Sequence, residues 1–193
     1  MSAIRTATLA DHALPRAGFL VNLALVVGAS LVTALAAQLE IRLPFTPVPI
    51  TGQTFAVLLS GAVLGARRGA LAQILYLAEG AAGLPFFAGG AAGALVFAGP
   101  TGGYLVAFPL AAAITGFLAE RGWDRWFHTM LAAMLLGSSV IFASGLAGLS
   151  RFLPSGDLLG TGLLPFLPGD LIKSSLAALA FPGLWRLMNR RSS

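Results

Sequence analysis

The sequence contains no cysteine, a single lysine and only two histidines among its 193 residues. Without cysteine, the chain can form no disulfide bond, no thiolate metal site and no cysteine nucleophile. The histidines, His12 and His128, are too few for a histidine-rich metal site. We therefore expect neither a bound metal ion nor a cofactor.

Charged residues are also scarce, at 10% of the chain, whereas soluble proteins average about 25%. Hydrophobic residues make up 57% of the chain, and its mean hydropathy is +0.86. A water-soluble core of this size would need more polar surface than twelve basic and seven acidic side chains can cover. The composition indicates an integral membrane protein that forms a single membrane domain over residues 1–193.

The net charge of +5 does not indicate nucleic-acid binding. The arginines stand singly or in pairs at the ends of apolar runs, so there is no basic face that could follow a phosphate backbone. This distribution is typical of membrane topology instead, and the surroundings we expect for the chain are lipid.

Six apolar segments are candidates for membrane helices, because a bilayer core of about 30 Å needs some 17–25 apolar residues. They cover residues 17–38, 50–66, 69–84, 103–119, 127–149 and 166–187. The second and third segments are short and meet at the sequence GARRG, so a re-entrant hairpin is the alternative there. We predict an all-α integral membrane protein with six transmembrane helices.

In this six-helix layout, nine arginines fall on one side of the membrane and two on the other. The nine are Arg5, Arg16, Arg67, Arg68, Arg121, Arg125, Arg186, Arg190 and Arg191, and the two are Arg42 and Arg151. Because basic residues concentrate on the cytoplasmic side, we expect both termini in the cytoplasm and the chain in the bacterial cytoplasmic membrane. A cleavable secretory signal is the alternative for the N-terminus, but the first apolar stretch exceeds the usual length of about 7–15 residues.

Three unusual segments fall on the external side of this layout. They are LPFTPVPITGQT (43–54), GLPFFAGGAAGALVFAGPTGGY (83–104) and PFLPGDLIK (165–173). The glycine-rich segment, between the third and fourth helices, is too apolar for a solvated loop, and its glycines disfavour a helix. Irregular backbone at membrane depth requires that protein covers it or that it lines a cavity. We expect it to fold over the bundle and offer backbone groups to a ligand; a flexible external loop is the alternative.

Asp170 and Lys173 are ionisable residues within the last apolar run. Their i, i+3 spacing places them on one face of a helix. An ionisable group that faces lipid costs about 2.5–3.5 kcal/mol, so we expect the two residues to pair and to serve a polar ligand. The alternatives are that Asp170 caps the helix N-terminus and that Lys173 snorkels to the membrane surface.

Further polar residues are expected near the same membrane level. They are Gln53, Glu79, Thr51, Thr101 and Tyr104. Together with Phe86, Phe87 and Phe97, they would form a mostly apolar site for a small amphipathic molecule with a compact polar head. Catalysis is poorly supported, because His128, a possible base, lies at the opposite membrane face.

Four motifs, taken in order, resemble the BioY family, which comprises the substrate-binding S components of energy-coupling-factor biotin transporters. They are PVPITGQTFAVLLSGAVLG (47–65), GLPFFAGG (83–90), GPTGGYL (99–105) and PFLPGDLIK (165–173). The resemblance implies a six-helix S component that binds biotin from outside with high affinity. It also implies a transmembrane T protein and two ATP-binding cassette (ABC) ATPases as partners.

On this resemblance, the expected biotin contacts are Asp170, Lys173, Gln53, Tyr104, Thr101, Gly89, Gly90 and Glu79. Asp170 would accept hydrogen bonds from the ureido N–H groups, while Lys173 would donate to an oxygen of either the ureido group or the carboxylate. Ala24 and Gly28 in the first helix form a small-xxx-small pair of the kind that S components present to the T protein. Ordinary packing within the bundle is the alternative for this pair.

The chain carries no Walker A motif, so it cannot itself couple ATP hydrolysis to transport. Two rival functions therefore remain open from the sequence. One is an autonomous biotin facilitator or proton-coupled carrier, in which Glu79 or the Asp170–Lys173 pair titrates. The other is an intramembrane hydrolase, for which the sequence offers no suitably placed base.

Overall fold

The computed structural model describes residues 7–153 and 157–191, and these are predominantly helical. The helices are α1 (Leu9–Ala13), α2 (Phe19–Gln38), α3 (Gln53–Leu64), α4 (Ala66–Ala81), α5 (Gly102–Val106), α6 (Phe108–Ala119), α7 (Phe127–Leu149), α8 (Leu158–Gly162) and α9 (Leu167–Arg191). Short 3-10 turns are η1 (Ala88–Gly90), η2 (Ala94–Ala98) and η3 (Trp123–Arg125). Arg5, one of the arginines used to predict the topology, lies outside the described residues, as do the side chains of Arg190 and Arg191.

A two-stranded antiparallel hairpin connects α2 to α3. Its strands are β1 (Glu40–Ile41) and β2 (Ile50–Thr51), with Glu40 opposite Thr51 and Ile41 opposite Ile50. The intervening segment contains several prolines, each of which keeps the residue before it extended. Residues 50–52 were expected to begin the second membrane helix, but α3 begins only at Gln53.

Within residues 7–153 and 157–191, four helical segments are long and apolar enough to cross a membrane. They are Phe19–Gln38, Gly102–Ala119, Phe127–Leu149 and Leu158–Met188, and they correspond to the first, fourth, fifth and sixth predicted spans. Helix α3 is apolar but has only 12 residues, and α4 has 16. The prediction of an all-helical membrane protein is confirmed.

Helix α6 occupies the centre of the bundle, where it packs against α3, α4 and α7. Two glycines permit these close contacts. A Cβ atom at Gly61 would overlap the carbonyl oxygen of Ala112, and one at Gly116 would overlap the backbone nitrogen of Ala66. Small residues at such crossings allow membrane helices to approach closely enough for extensive van der Waals contact.

Helices α2, α3 and α4 are also joined by a buried amide. Gln73 is completely buried, and its Nε2 atom donates to Thr33 Oγ1 at 3.2 Å and to Ser60 Oγ at 2.9 Å. Such bonds between helices satisfy polar groups that would otherwise be desolvated in the hydrocarbon layer. Gln73 therefore has a structural role.

Candidate ligand-binding site

Two adjoining cavities lie between the hairpin, the glycine-rich segment and helices α3, α5 and α9. The outer chamber has a volume of about 370 Å³ and the inner chamber one of about 60 Å³. Both are lined by Gln53, Thr101 and Leu105, so the chambers adjoin along these residues. The outer chamber alone falls within the roughly 300–1,000 Å³ range of small-molecule sites.

The inner chamber is mostly apolar but contains both ionisable residues of the last membrane segment. Its apolar lining is Val48, Ile50, Leu105, Phe108, Phe142 and Phe166, and its polar lining is Thr51, Gln53, Thr54, Thr101, Tyr104, Asp170 and Lys173. An apolar cavity with a few convergent polar groups is the usual form of a small-molecule site. The polar groups here include both hydrogen-bond donors and acceptors.

Asp170 lies in the first turn of α9 and is only 6% exposed. Its Oδ1 atom accepts a hydrogen bond from Ser138 Oγ on α7 at 2.8 Å. Its own backbone N–H bonds to the carbonyl of Phe166. The side chain therefore points across to α7 and into the chamber wall, which is not the arrangement of a helix cap.

Lys173 reaches from α9 to the chain that leads into α3. Its Nζ atom donates to the carbonyl oxygen of Thr51 at 3.0 Å and to Thr54 Oγ1 at 3.5 Å. No direct hydrogen bond or ion pair with Asp170 is found among the described residues, where each group bonds to a different element of the fold, although the two opposite charges attract each other. These bonds within the protein favour a role in the site over the snorkelling alternative.

Gln53 links the chambers to the glycine-rich segment. Its Nε2 atom donates to the hydroxyl of Tyr76, which in turn donates to the carbonyl oxygen of Phe86 at 3.1 Å. Its Oε1 atom accepts from Thr51 Oγ1 at 3.0 Å. The first of these bonds holds Gln53 at the boundary between the two chambers, where its amide faces both.

Tyr104 and Thr101 enter the site from the end of the glycine-rich segment. The hydroxyl of Tyr104 donates to the carbonyl oxygen of Gly162 at 2.7 Å, so its ring stands as a fixed wall of the inner chamber. The ring of Phe166 lies 6.4 Å from that of Tyr104 and 6.4 Å from that of Phe142, measured between centroids. These aromatic surfaces suit the flat apolar faces of a ring system.

The glycine-rich segment is folded against the bundle and is anchored by Phe87. This side chain is 1% exposed, and its ring makes edge contacts with Tyr76 at 5.7 Å and with Phe97 at 5.6 Å between centroids. Phe87, Ala88 and Ala91 line the outer chamber. Gly89 and Gly90 are not among its lining residues, and both have positive φ, at 64° and 73°.

Sequence reasoning missed an ion pair at the edge of the outer chamber. Arg42 Nε bonds to Glu40 Oε1 at 2.8 Å, and both residues line this chamber. A Cβ atom at Gly89 would overlap the Arg42 guanidinium, so the ion pair rests on the backbone of η1. The only available signal was a lone arginine next to the proline-rich segment.

Glu79 lies apart from the two chambers. Its Oε2 atom accepts a hydrogen bond from Ser30 on α2 at 2.8 Å, and it is absent from the lining of both chambers. Glu79 therefore joins α2 to α4 in the described structure. The distance in sequence from the helix end could not tell which neighbouring helix Glu79 faces.

The small residues of α2 divide between two sides of the helix. Thr33 and Ala37 are completely buried against the bundle, whereas Ala24 and Gly28 are exposed. No atom lies within 4 Å of a Cβ built at Gly28. Packing within the bundle therefore does not account for Ala24 and Gly28.

The fold and this site define a multi-pass membrane protein with a partly enclosed small-molecule site, and comparisons with known proteins agree. A model of the BioY family matches residues 7–190. The biotin transporter BioY of Rhizobium etli is 41% identical over 78% of this chain and 85% of its own length. The biotin transporter BioY of Thermotoga maritima is 41% identical over 72% of this chain and 82% of its own length.

A solved structure has the same architecture. It is the crystal structure of the S-component for biotin from an ECF-type ABC transporter, with a TM-score of 0.77 and 29% identity, and the match covers 86% of this chain and 90% of that one. The chain belongs to the BioY family. Its relatives are transporters, so the comparisons do not support an enzyme.

Proposed function

We propose that the chain binds biotin from the external side and takes it up across the cytoplasmic membrane as the S component of an energy-coupling-factor transporter. The relatives are a biotin transporter and an S-component for biotin, which supports biotin as the ligand and uptake as the process. The observation in this chain that best supports the ligand is the convergence of Asp170, Lys173 and a few neutral polar side chains on a mostly apolar, aromatic-lined chamber. Biotin combines a compact polar head with an apolar ring and chain, as such a chamber requires.

The ureido head of biotin would occupy the inner chamber. This group offers two N–H donors and one carbonyl acceptor, so its site needs hydrogen-bonding groups of both kinds. Asp170 would accept from an N–H group, and Lys173 would donate to the carbonyl oxygen. Tyr104 and Thr101 would border the ring system, and Gln53 would meet it at the boundary between chambers.

The carboxylate of biotin would point into the outer chamber. Two cations line the chambers, Lys173 in the inner one and Arg42 in the outer one. With the ureido carbonyl at Lys173, the valeryl chain would extend past Phe87 toward Arg42. Backbone groups near Gly89 and Gly90 would contribute only if the segment moved on binding, and Glu79 is left out of this contact set because it bonds Ser30.

Biotin methyl ester tests this orientation, because it lacks the negative charge. The Arg42 side chain is 74% exposed, so its ion pair with the ligand should contribute about 1 kcal/mol at most, or roughly fivefold in affinity. Esterification should therefore weaken binding to the parent by up to that factor and have little effect in Arg42→Gln. An equal loss in both proteins would overturn the orientation, and Arg151→Gln serves as the matched control.

The proposed topology has six membrane spans, with both termini in the cytoplasm and the glycine-rich segment outside, in a single membrane domain over residues 1–193. Helices α3 and α4 would then be short spans of about 18 and 24 Å at 1.5 Å per residue. The absence of cysteine makes single-cysteine labelling a clean test. In intact cells, a membrane-impermeant maleimide should label Leu95→Cys and spare Arg121→Cys, and the reverse pattern would invert the topology.

The proposed partners are a transmembrane T protein and two ABC ATPases. Ala24 and Gly28 are exposed on α2, so they could meet a helix of the T protein at close range. The solved relative comes from an ABC-type transporter, which favours this role over an autonomous carrier. Biotin uptake by cells that express the chain should therefore fall when the ATPase genes are deleted, while uptake that persists and collapses with a protonophore would support the carrier.

A further inference from the structure

One face of α2 is packed in its second half and open in its first. Its residues follow the helical repeat of three to four positions, with Asn22 and Leu23 as neighbours. They are Phe19, Asn22, Leu23, Val26, Ser30, Thr33 and Ala37. In the second half, Ser30 bonds to Glu79 and Thr33 to Gln73, both on α4. In the first half, α2 and α4 instead border a groove of about 900 Å³.

The groove has apolar walls over a length that matches one leaflet of a membrane. Its α4 wall is formed by Leu71, Ile74, Leu75 and Ala78, and its α2 wall by Phe19, Leu23 and Val26. From Arg67 at one end to Ala78 at the other, the groove follows α4 for roughly 16 Å at 1.5 Å per residue. Half of a hydrocarbon core of about 30 Å is nearly the same length.

Cationic and polar residues surround the open end of the groove. Arg68 donates to Asn22 Oδ1 at 2.9 Å and pairs with Asp11 Oδ1 at 2.6 Å, so its charge is already balanced. Arg67 is exposed and lines the groove, and it has no hydrogen bond or ion pair with any residue that the structure describes. Glu120 also lines the groove, where its Oε1 atom accepts a hydrogen bond from the backbone N–H of Ala66 at 2.9 Å. The charged lining is thus two basic and two acidic side chains, of which Arg67 is the exposed cation beside the apolar channel.

We propose that this groove binds one anionic phospholipid of the cytoplasmic leaflet, with an acyl chain between α2 and α4 and the phosphate at Arg67. The proposal rests on the topology in the proposed function, which puts Arg67 at the cytoplasmic surface. Ala24 and Gly28 lie on the other side of α2 at 100° per residue, so the expected T-protein surface and the groove are separate. An acyl chain would fill the apolar gap between the two helices, whose walls otherwise lack partner atoms.

Lipid titration of the purified full chain tests the site by native mass spectrometry. The probes are dioleoyl phosphatidylglycerol and dioleoyl phosphatidylcholine, which share acyl chains and differ in net charge. The parent should bind phosphatidylglycerol more tightly, and Arg67→Gln should weaken that binding by about fivefold, the effect of one basic residue near a lipid surface. Arg121→Gln, an exposed arginine proposed for the same leaflet, should bind as the parent does.

A second pair of variants tests the apolar channel independently of charge. Leu23→Trp should fill the groove and weaken the binding of both lipids, whereas Leu20→Trp on another side of α2 should not. Equal lipid binding by the parent, Arg67→Gln and Leu23→Trp would overturn the proposal. So would loss of T-protein association in Leu23→Trp with lipid binding unchanged, because a protein partner would then occupy the groove. All variants should retain the biotin affinity of the parent. If the parent itself fails to bind biotin, that result counts against the proposed function and not against the lipid site.

Discussion

Replacing Lys173 by methionine should weaken biotin binding strongly. The methionine keeps an apolar stem of similar length but removes the ammonium group that, in the proposed pose, donates to the ureido oxygen. A hydrogen bond from a charged donor contributes about 1.5–3 kcal/mol, which corresponds to a loss of roughly 10- to 150-fold in affinity. The loss should be measurable even at the lower end of this range, because methionine offers no hydrogen-bond donor in place of the ammonium group.

The same substitution removes two hydrogen bonds within the protein, so folding must be measured beside binding. Lys173 bonds to Thr51 and Thr54, and their loss should lower the melting temperature by a few degrees. Isothermal titration of the detergent-solubilised chain gives the affinity, and thermal unfolding gives the stability. Arg151→Met is the matched control, because Arg151 is an exposed cation that lines a different cavity.

A ligand analogue separates a direct contact from a general loosening of the site. In 2-iminobiotin, an imine nitrogen that readily takes up a proton replaces the ureido oxygen, so the analogue should be repelled by Lys173 in the parent. The affinity ratio of biotin to 2-iminobiotin should therefore shrink in Lys173→Met. An unchanged ratio, or unchanged biotin affinity in a folded Lys173→Met protein, would refute the assignment of Lys173 to the ureido oxygen.

Three further substitutions probe the partner surface, the helix packing and a buried carboxyl. Gly28 on α2 is surrounded by open space, so Gly28→Leu should leave biotin affinity unchanged while co-purification with a T protein falls. Equal recovery of the T protein with the variant and with the parent would remove Gly28 from the interface. Gly116→Ala should destabilise the chain by about 1–3 kcal/mol through overlap with the Ala66 backbone, and an unchanged melting temperature would contradict this packing. Burial raises the pKa of Asp124 despite a hydrogen bond from Trp185. The folded state therefore holds this proton more tightly than the unfolded state, and the parent should lose stability as the pH rises from the ordinary pKa of a carboxyl group to the raised pKa of Asp124. Asp124→Asn should abolish that slope in thermal unfolding between pH 4 and neutrality, and a persistent slope would assign it to another group.

The long helices could be predicted from the sequence with good accuracy. Helix α7 has the predicted bounds of 127–149, and α2 begins two residues later than expected at Phe19. These segments combine uninterrupted hydrophobicity with flanking charge, and both signals are local. Proline interrupts one of the predicted helices. The predicted helix 103–119 breaks at Ala107, because Pro109 has no N–H to donate to the carbonyl of Leu105.

The polar contacts of the site could be predicted only in part. Apolar surroundings singled out Asp170 and Lys173 as unusual, and both do line one chamber. Their partners, Ser138 and Thr51, lie 32 and 122 positions away in the chain, and helical spacing holds no information on such contacts. Glu79 was expected near the site because distance along a helix indicates a level in the membrane. That distance does not tell which neighbouring helix the side chain faces.

Equilibrium binding of labelled biotin to the purified parent chain decides whether the chain has the proposed biotin site. We expect saturable binding at one site per chain. Desthiobiotin, which keeps the ureido ring, should compete, whereas lipoic acid, which has the valeryl carboxylate without a ureido group, should compete only weakly. Absence of saturable binding by a well-folded chain, or equal competition by the two analogues, would contradict a biotin site built around Asp170 and Lys173.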